Sequence, residues 1–195
     1  MRVPVSFGRT SLAIDVARAF ANLGEMILRR AEPKDAIGVS RVHVRAWQAG
    51  YRALLPDDYL EQLRPEHRAQ KYDFDTTDPS RPQTIVAEEE GVILGFATTV
   101  PARDAQAVGS GELSALHVDP EQWGRGIGVA LISAARNRLV ADGFQDAIVW
   151  VLSGNVRALR FYMKDGWLAD GISRTDVVWG LQVQEIRYRR ALATS

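Results

Sequence analysis

Apolar residues along this chain recur with two periods, one near 3.6 residues and one of 2, and each change of period marks an element boundary. Residues 26–32 form a short strand pattern that stops at Glu32-Pro33. Asp35 then stands where it can cap a helix reaching about Tyr51, with Ile37, Val44 and Trp47 on its apolar face. Leu54-Leu55-Pro56-Asp57-Asp58 opens a second helix, with proline in its first turn and two carboxylates at its positive end. Residues 83–89 and 92–100 have strand character and flank a tight turn at Glu90-Gly91. Another strand begins at Glu112, alternates through Leu113, Ala115, Leu116 and Val118, and stops at Asp119-Pro120. A helix follows from about Gly128 to Asp142, closed by Gly143. The apolar run 146–152 predicts a buried strand, Asn155 begins a helix ending at Asp165-Gly166, and two strands near 174–180 and 182–190 complete the pattern. Residues 70–82 and 102–111 are polar or glycine-rich and read as loops.

The first 25 residues stand apart from this pattern. Leu12, Val16, Phe20 and Leu23 mark a helix over about 10–23, within a segment that has three arginines and one aspartate. Residues 1–25 are therefore expected to be an N-terminal extension. A docking helix or a misassigned start accounts for it more simply than a transit peptide. Residues 26–195 are expected to form the domain proper.

Composition narrows the function classes. A chain of 195 residues can enclose a sizeable core, and 46% hydrophobic with 25% charged residues is the balance of a soluble globular domain. The 24 basic and 24 acidic residues cancel, so the broad basic surface of a nucleic-acid binder is not expected. No cysteine is present, which excludes disulfides, thiolate catalysis and Cys-based zinc sites. Three scattered histidines (His43, His67 and His117) make no metal site, and no apolar run approaches the roughly 20 residues of a membrane span.

Candidate chemistry concentrates after the strand at Glu112. Gly124, Gly126 and Gly128 precede the apolar helix that continues from Val129. Closely spaced glycines let backbone N–H groups converge, and the helix dipole adds positive charge there, which makes an anion cradle. A P-loop needs Lys-Ser/Thr after its last glycine, whereas Val129-Ala130 follows here. A dinucleotide fingerprint also fails, because Val129 or Leu131 occupies its last position. The stretch instead resembles the Q/R-x-x-G-x-G/A motif of the GNAT acetyltransferase superfamily, with Trp123 replacing the leading Gln or Arg and Gln122 just before it. A second segment, SGNVRALRFYMKDGW at 153–167, resembles that family's N-x-x-A-x-x-F-Y-x-x-x-G-F/W, matched at Asn155, Ala158, Phe161, Tyr162, Gly166 and Trp167. AWQAGYRALLPDDYL, near the start, is similar to a common bacterial subgroup.

The resemblance covers about 26–190 and implies the GNAT fold: α/β (α+β), with a mixed central sheet of about seven strands, splayed in the middle, and about four helices. It implies acetyl-CoA as cosubstrate and no metal. The cofactor-binding stretch would be Leu116, His117 and Val118 on the strand, then Trp123, Gly124, Arg125, Gly126, Ile127, Gly128 and Val129 in the turn. Asn155, Ala158 and Tyr162 would join it from the last helix. Arg125 is either a phosphate ligand or a solvated loop arginine, and Asn155 can be a plain N-cap as well as a cofactor contact. The resemblance gives Tyr162 the role of proton donor to the leaving thiolate, against a simple packing role. Glu112 is the candidate base for the acceptor ammonium, against an exposed strand-end carboxylate, with His117 as second candidate. Trp47 and Tyr51, on one helical stripe with His43, are candidate substrate contacts or plain core.

The implied function is acetyl-CoA-dependent N-acetyl transfer to a primary amine of a small molecule, by direct attack within a ternary complex in the cytoplasm. A protein N-terminus or lysine as acceptor, and a non-catalytic acyl-CoA sensor, are the alternatives. Partners would be the amine, with no nucleic acid or membrane, and a second copy in a homodimer.

Overall fold

The computed structural model describes residues 26–178 and 180–192; the helix expected over 10–23 and the rest of the extension lie outside this range. Seven strands form one sheet in the order β1-β2-β3-β4-β5-β7-β6. These are β1 Ile27–Arg30, β2 Gln83–Glu89, β3 Val92–Pro101, β4 Gly111–Val118, β5 Asp146–Leu152, β6 Leu168–Val178 and β7 Leu181–Ala191. Five α-helices accompany them: α1 Ala36–Gly50, α2 Asp57–Gln62, α3 Pro65–Ala69, α4 Ile127–Ala141 and α5 Val156–Lys164.

The helices cover both faces of the sheet. On one face, Val39 and Val42 of α1 pack on Val86 and Phe96. On the other, Leu131, Ile132, Ala135 and Leu139 of α4, with Tyr162 of α5, close over Ala97, Leu113, Val118, Ala147 and Val149. A strand buried on both faces must read as a continuous apolar run, as Ala147 to Val151 does.

The splay in the sheet has an identifiable cause. All neighbouring strands pair antiparallel except β4 and β5, which run parallel and pair only at Gly111↔Ala147 and Glu112↔Ile148. Just beyond, the β3–β4 register slips, so that Thr98 faces Ala115 while Thr99 faces Leu113. The extra residue, Ser114, makes a bulge that bends and twists its strand, and β4 leaves β5 there. Meanwhile β5 stays paired to β7 along its whole length.

Two expectations need correction. Asp35 directly precedes α1 but makes no capping bond. Its carboxylate turns back to accept from the Arg29 guanidinium at 2.6 and 2.9 Å and from the Glu32 N–H at 2.8 Å. A carboxylate this buried gains more from a charged partner than from a neutral helix amide. β6 starts at Leu168 rather than near 174, because pairing with β7 (Leu168↔Arg189, Ala169↔Tyr188) holds residues whose exposed side chains carry no pattern. About four helices were expected and the described residues form five, α3 being a short one with no buried residue.

Candidate active site

The gap between β4 and β5 opens into a cavity of about 580 Å³. Past Glu112 and Ile148 the facing strand edges no longer pair with each other, so main-chain donors and acceptors are available along the gap. At one end, Asp119 closes a 3-10 turn by accepting the N–H of Glu121 at 2.9 Å, and the chain swings into α4.

The glycine turn is shaped by backbone conformation. Gly124 and Gly126 have φ of +85° and +84°, in the left-handed region that glycine enters freely. A Cβ at either would touch nothing within 4 Å, so the requirement is conformational and not one of space. The first helical bond of α4 runs from the Ala130 N–H to the Gly126 carbonyl at 3.0 Å. The N–H groups of Gly124 through Val129 donate to no carbonyl among the described residues. They form the positive end of a 15-residue helix, at the cavity wall.

Of the candidate cofactor, catalytic and substrate residues, all but one border this cavity. Leu116, His117, Val118, Trp123, Gly124, Gly126, Ile127, Gly128, Val129, Asn155, Ala158 and Tyr162 lie along it, as do Trp47, Tyr51 and Glu112. Arg125 does not. Its guanidinium grips both oxygens of Glu89, at 2.8 and 3.1 Å, and also donates to Gln122. Asn155 caps α5, its Oδ1 accepting the Ala158 N–H at 3.0 Å, and its amide nitrogen is left over from that bond.

Burial sets the electrostatics. Tyr162 is the one buried residue of α5, and desolvation together with nearby Tyr51 pushes its phenol well above the usual range. Tyr51 is itself pushed up to about 12, mainly by burial and further by Glu185. Both are neutral phenols at ordinary pH. Burial also raises the Glu112 carboxyl, and Glu185 adds to this while Arg174 and Arg103 oppose it. A carboxylate so raised is a better proton acceptor than an exposed one. His117 points to the α1 side, where its ring stacks on His43 at 4.5 Å and lies 5.5 Å from Phe96. Burial holds His117 down to about 4 and His43 well below its usual value, so both are neutral at pH 7. His43 Nδ1 in turn shares a 2.5 Å hydrogen bond with the Tyr72 hydroxyl.

The structure adds residues that the sequence pattern did not single out. Arg174 and Glu185, from β6 and β7, pair at 2.8 Å on the wall, where Arg174 also lies 4.0 Å above the ring of Trp150. Only the β6–β7 register brings them together, and no local motif announces it. Arg157 lies at the other end of the cavity. Its signal was its place two residues after Asn155, inside a segment already noticed. Among the described residues no helix is long and apolar enough to cross a membrane, and no three His, Asp or Glu side chains are grouped to hold a metal ion.

Comparison with known proteins agrees with this geometry. The profile of the Acetyltransferase (GNAT) family matches residues 47–167. The uncharacterized N-acetyltransferase YuaI of Bacillus subtilis is 30% identical over 128 residues, which span 66% of this chain and 72% of that protein. A mycothiol acetyltransferase of Amycolatopsis mediterranei is 32% identical over 155 residues, 75% of this chain but 46% of that protein. The chain therefore spans less than half the length of this longer relative. The fold matches YncA of Salmonella typhimurium, solved with its cofactor acetyl-CoA, with a TM-score of 0.65 and 18% identity over 88% of this chain and 96% of that one. A split sheet closed by a glycine turn, and a profile match running from α1 to the end of α5, lead to one conclusion: the chain belongs to the acetyltransferase (GNAT) family.

Proposed function

We propose that this protein transfers an acetyl group from acetyl-CoA to a primary amine of a small molecule, by direct attack in a ternary complex. The observation that carries the reading is the β4–β5 gap. One cavity joins a turn of unpaired N–H groups, two open strand edges, a raised carboxyl and a neutral buried phenol. These donors fit the cosubstrate. The N–H groups of Gly124 to Val129 suit a diphosphate. The strand edges around Leu116 and Val118, with the Asn155 amide, suit the amide-bearing arm. Bound acetyl-CoA would supply the activated acyl group.

The remaining tasks fall to side chains. Glu112 takes a proton from the acceptor ammonium, directly or through water, leaving a free amine pair to form the N–C bond. Tyr162 gives its proton to the sulfur as the C–S bond breaks and regains one from the nitrogen, which sheds its second proton as the amide forms. An adjoining cavity of about 460 Å³ shares Glu112, Trp150 and Arg174 with the first and offers the acceptor a route to Glu112. Trp47 and Tyr51 line the first cavity from the α1 side. A small acceptor is supported by the names of the mycothiol acetyltransferases among the relatives.

Thermal denaturation with acetyl-CoA, ATP and NAD tests the cosubstrate. Acetyl-CoA at about 100 times its dissociation constant adds roughly 2.7 kcal/mol of stability, and the other two add none. A panel of amines with detection of released thiol then tests the transfer. No thermal shift at millimolar acetyl-CoA would overturn the reading.

A further inference from the structure

We propose that Arg157, seated over the indole of Trp123, is the side-chain anchor for the diphosphate of the acyl carrier. The inference rests on the function proposed above and concerns which cation of this chain serves the glycine turn.

Two arginines line the cavity, Arg157 and Arg174; the second is committed elsewhere, as are Arg125 in the glycine turn and Arg45 beside Asp119. Arg125 is neutralised by Glu89 and lies off the cavity wall. Arg45 pairs with Asp119 at 3.2 Å and Glu121 at 2.8 Å. Arg174 pairs with Glu185 and Asp176 at the far end. Arg157 borders the cavity from the first turn of α5 and has no carboxylate partner among the described residues.

Its position is held by stacking. The guanidinium carbon sits 3.1 Å from the centroid of the Trp123 ring. The indole is itself fixed, because its N–H donates to the Val118 carbonyl at 2.9 Å. A stacked guanidinium spends its face on the ring and keeps its in-plane N–H donors free, the geometry that grips two phosphate oxygens together. Trp123 directly precedes Gly124, so the platform adjoins the unpaired N–H groups. Trp123 stands where the resembling motif carries Gln or Arg. In this chain the long donor thus comes from α5, and the turn residue orients it.

Isothermal titration of three ligands against wild type and Arg157→Ala separates the possibilities. The ligands are acetyl-CoA, its 3′-dephospho form, which keeps the diphosphate, and S-acetylpantetheine, which has no phosphate. Loss of a charge-assisted bidentate contact should weaken the first two alike by about 10- to 100-fold and leave the third unchanged. Trp123→Leu, which keeps the charge but removes the platform, should give a smaller loss of the same selectivity. Arg157 is exposed, so melting of the ligand-free variant should stay near wild type. Equal weakening of all three ligands, no weakening, or a loss confined to the ligand with the 3′-phosphate would overturn the assignment. Wild type that fails to bind acetyl-CoA would instead overturn the function on which it rests.

Discussion

Mild acid should destabilise this protein through the His43–His117 pair. The rings stack at 4.5 Å beneath α1, with Trp47 and Phe96 beside His43 and Tyr72 bonded to its Nδ1. The Arg68 guanidinium opposes protonation of both rings through its field, and His117 further opposes that of His43. His117 is held near 4 instead of 6.5, so the fold binds its proton less readily than the unfolded chain does. For a depressed histidine the stabilisation is present above 6.5 and is lost as pH falls from there toward 4. At 1.36 kcal/mol per decade, His117 alone removes about 2 kcal/mol by pH 5 and about 3 kcal/mol by pH 4. For a chain of this size, 2 kcal/mol lowers the melting temperature by roughly 4–8 °C. The assay is urea unfolding followed by tryptophan fluorescence at pH 7.5 and pH 5, for wild type and His117→Gln. Titrating carboxylates contribute equally to both proteins, so the difference between their pH dependences isolates the histidine. The variant should lose about 2 kcal/mol less on acidification, whatever its stability at pH 7.5. An unchanged pH dependence would refute the reasoning.

The remaining expectations concern the cavity. Tyr162→Phe keeps the buried ring and removes the proposed proton donor, so turnover should fall about 10²- to 10⁴-fold with acetyl-CoA affinity unchanged by calorimetry. Unaltered single-turnover rates would make Tyr162 a packing residue. Glu112→Gln should slow transfer while raising stability at pH 7.5. A raised carboxyl contributes most below its ordinary value of 4.5 and loses that contribution as pH climbs through its folded value. The stability advantage should therefore vanish near pH 4 in the same urea series. Gly126→Ala forces an L-residue to φ +84°, costing about 1–2 kcal/mol of stability. It should also weaken acetyl-CoA in a thermal-shift titration, since the strain turns the N–H groups off their common point.

What the sequence determined by itself is what neighbours along the chain decide. The glycine spacing and the apolar helix after it pointed to a strand-to-helix turn with converging N–H groups at 124–129. The tight turn at Glu90-Gly91 and the cap at Asn155 were equally legible, since each depends on a few consecutive residues and their backbone preferences. The two family-like segments carried the order of elements. Tertiary structure alone decided where those pieces point. Asp35 was a cap by its position and became the partner of Arg29, because a buried carboxylate takes the nearest cation. Arg125 was a candidate phosphate ligand until Glu89, 36 residues away in sequence, occupied it, leaving Arg157 on the cavity wall. Arg174 and Glu185 face each other through a strand register that no local pattern encodes. Periodicity records which side of an element is apolar. Which charge meets which, and how far each pKa moves, depends on burial and on partners brought together from distant parts of the chain.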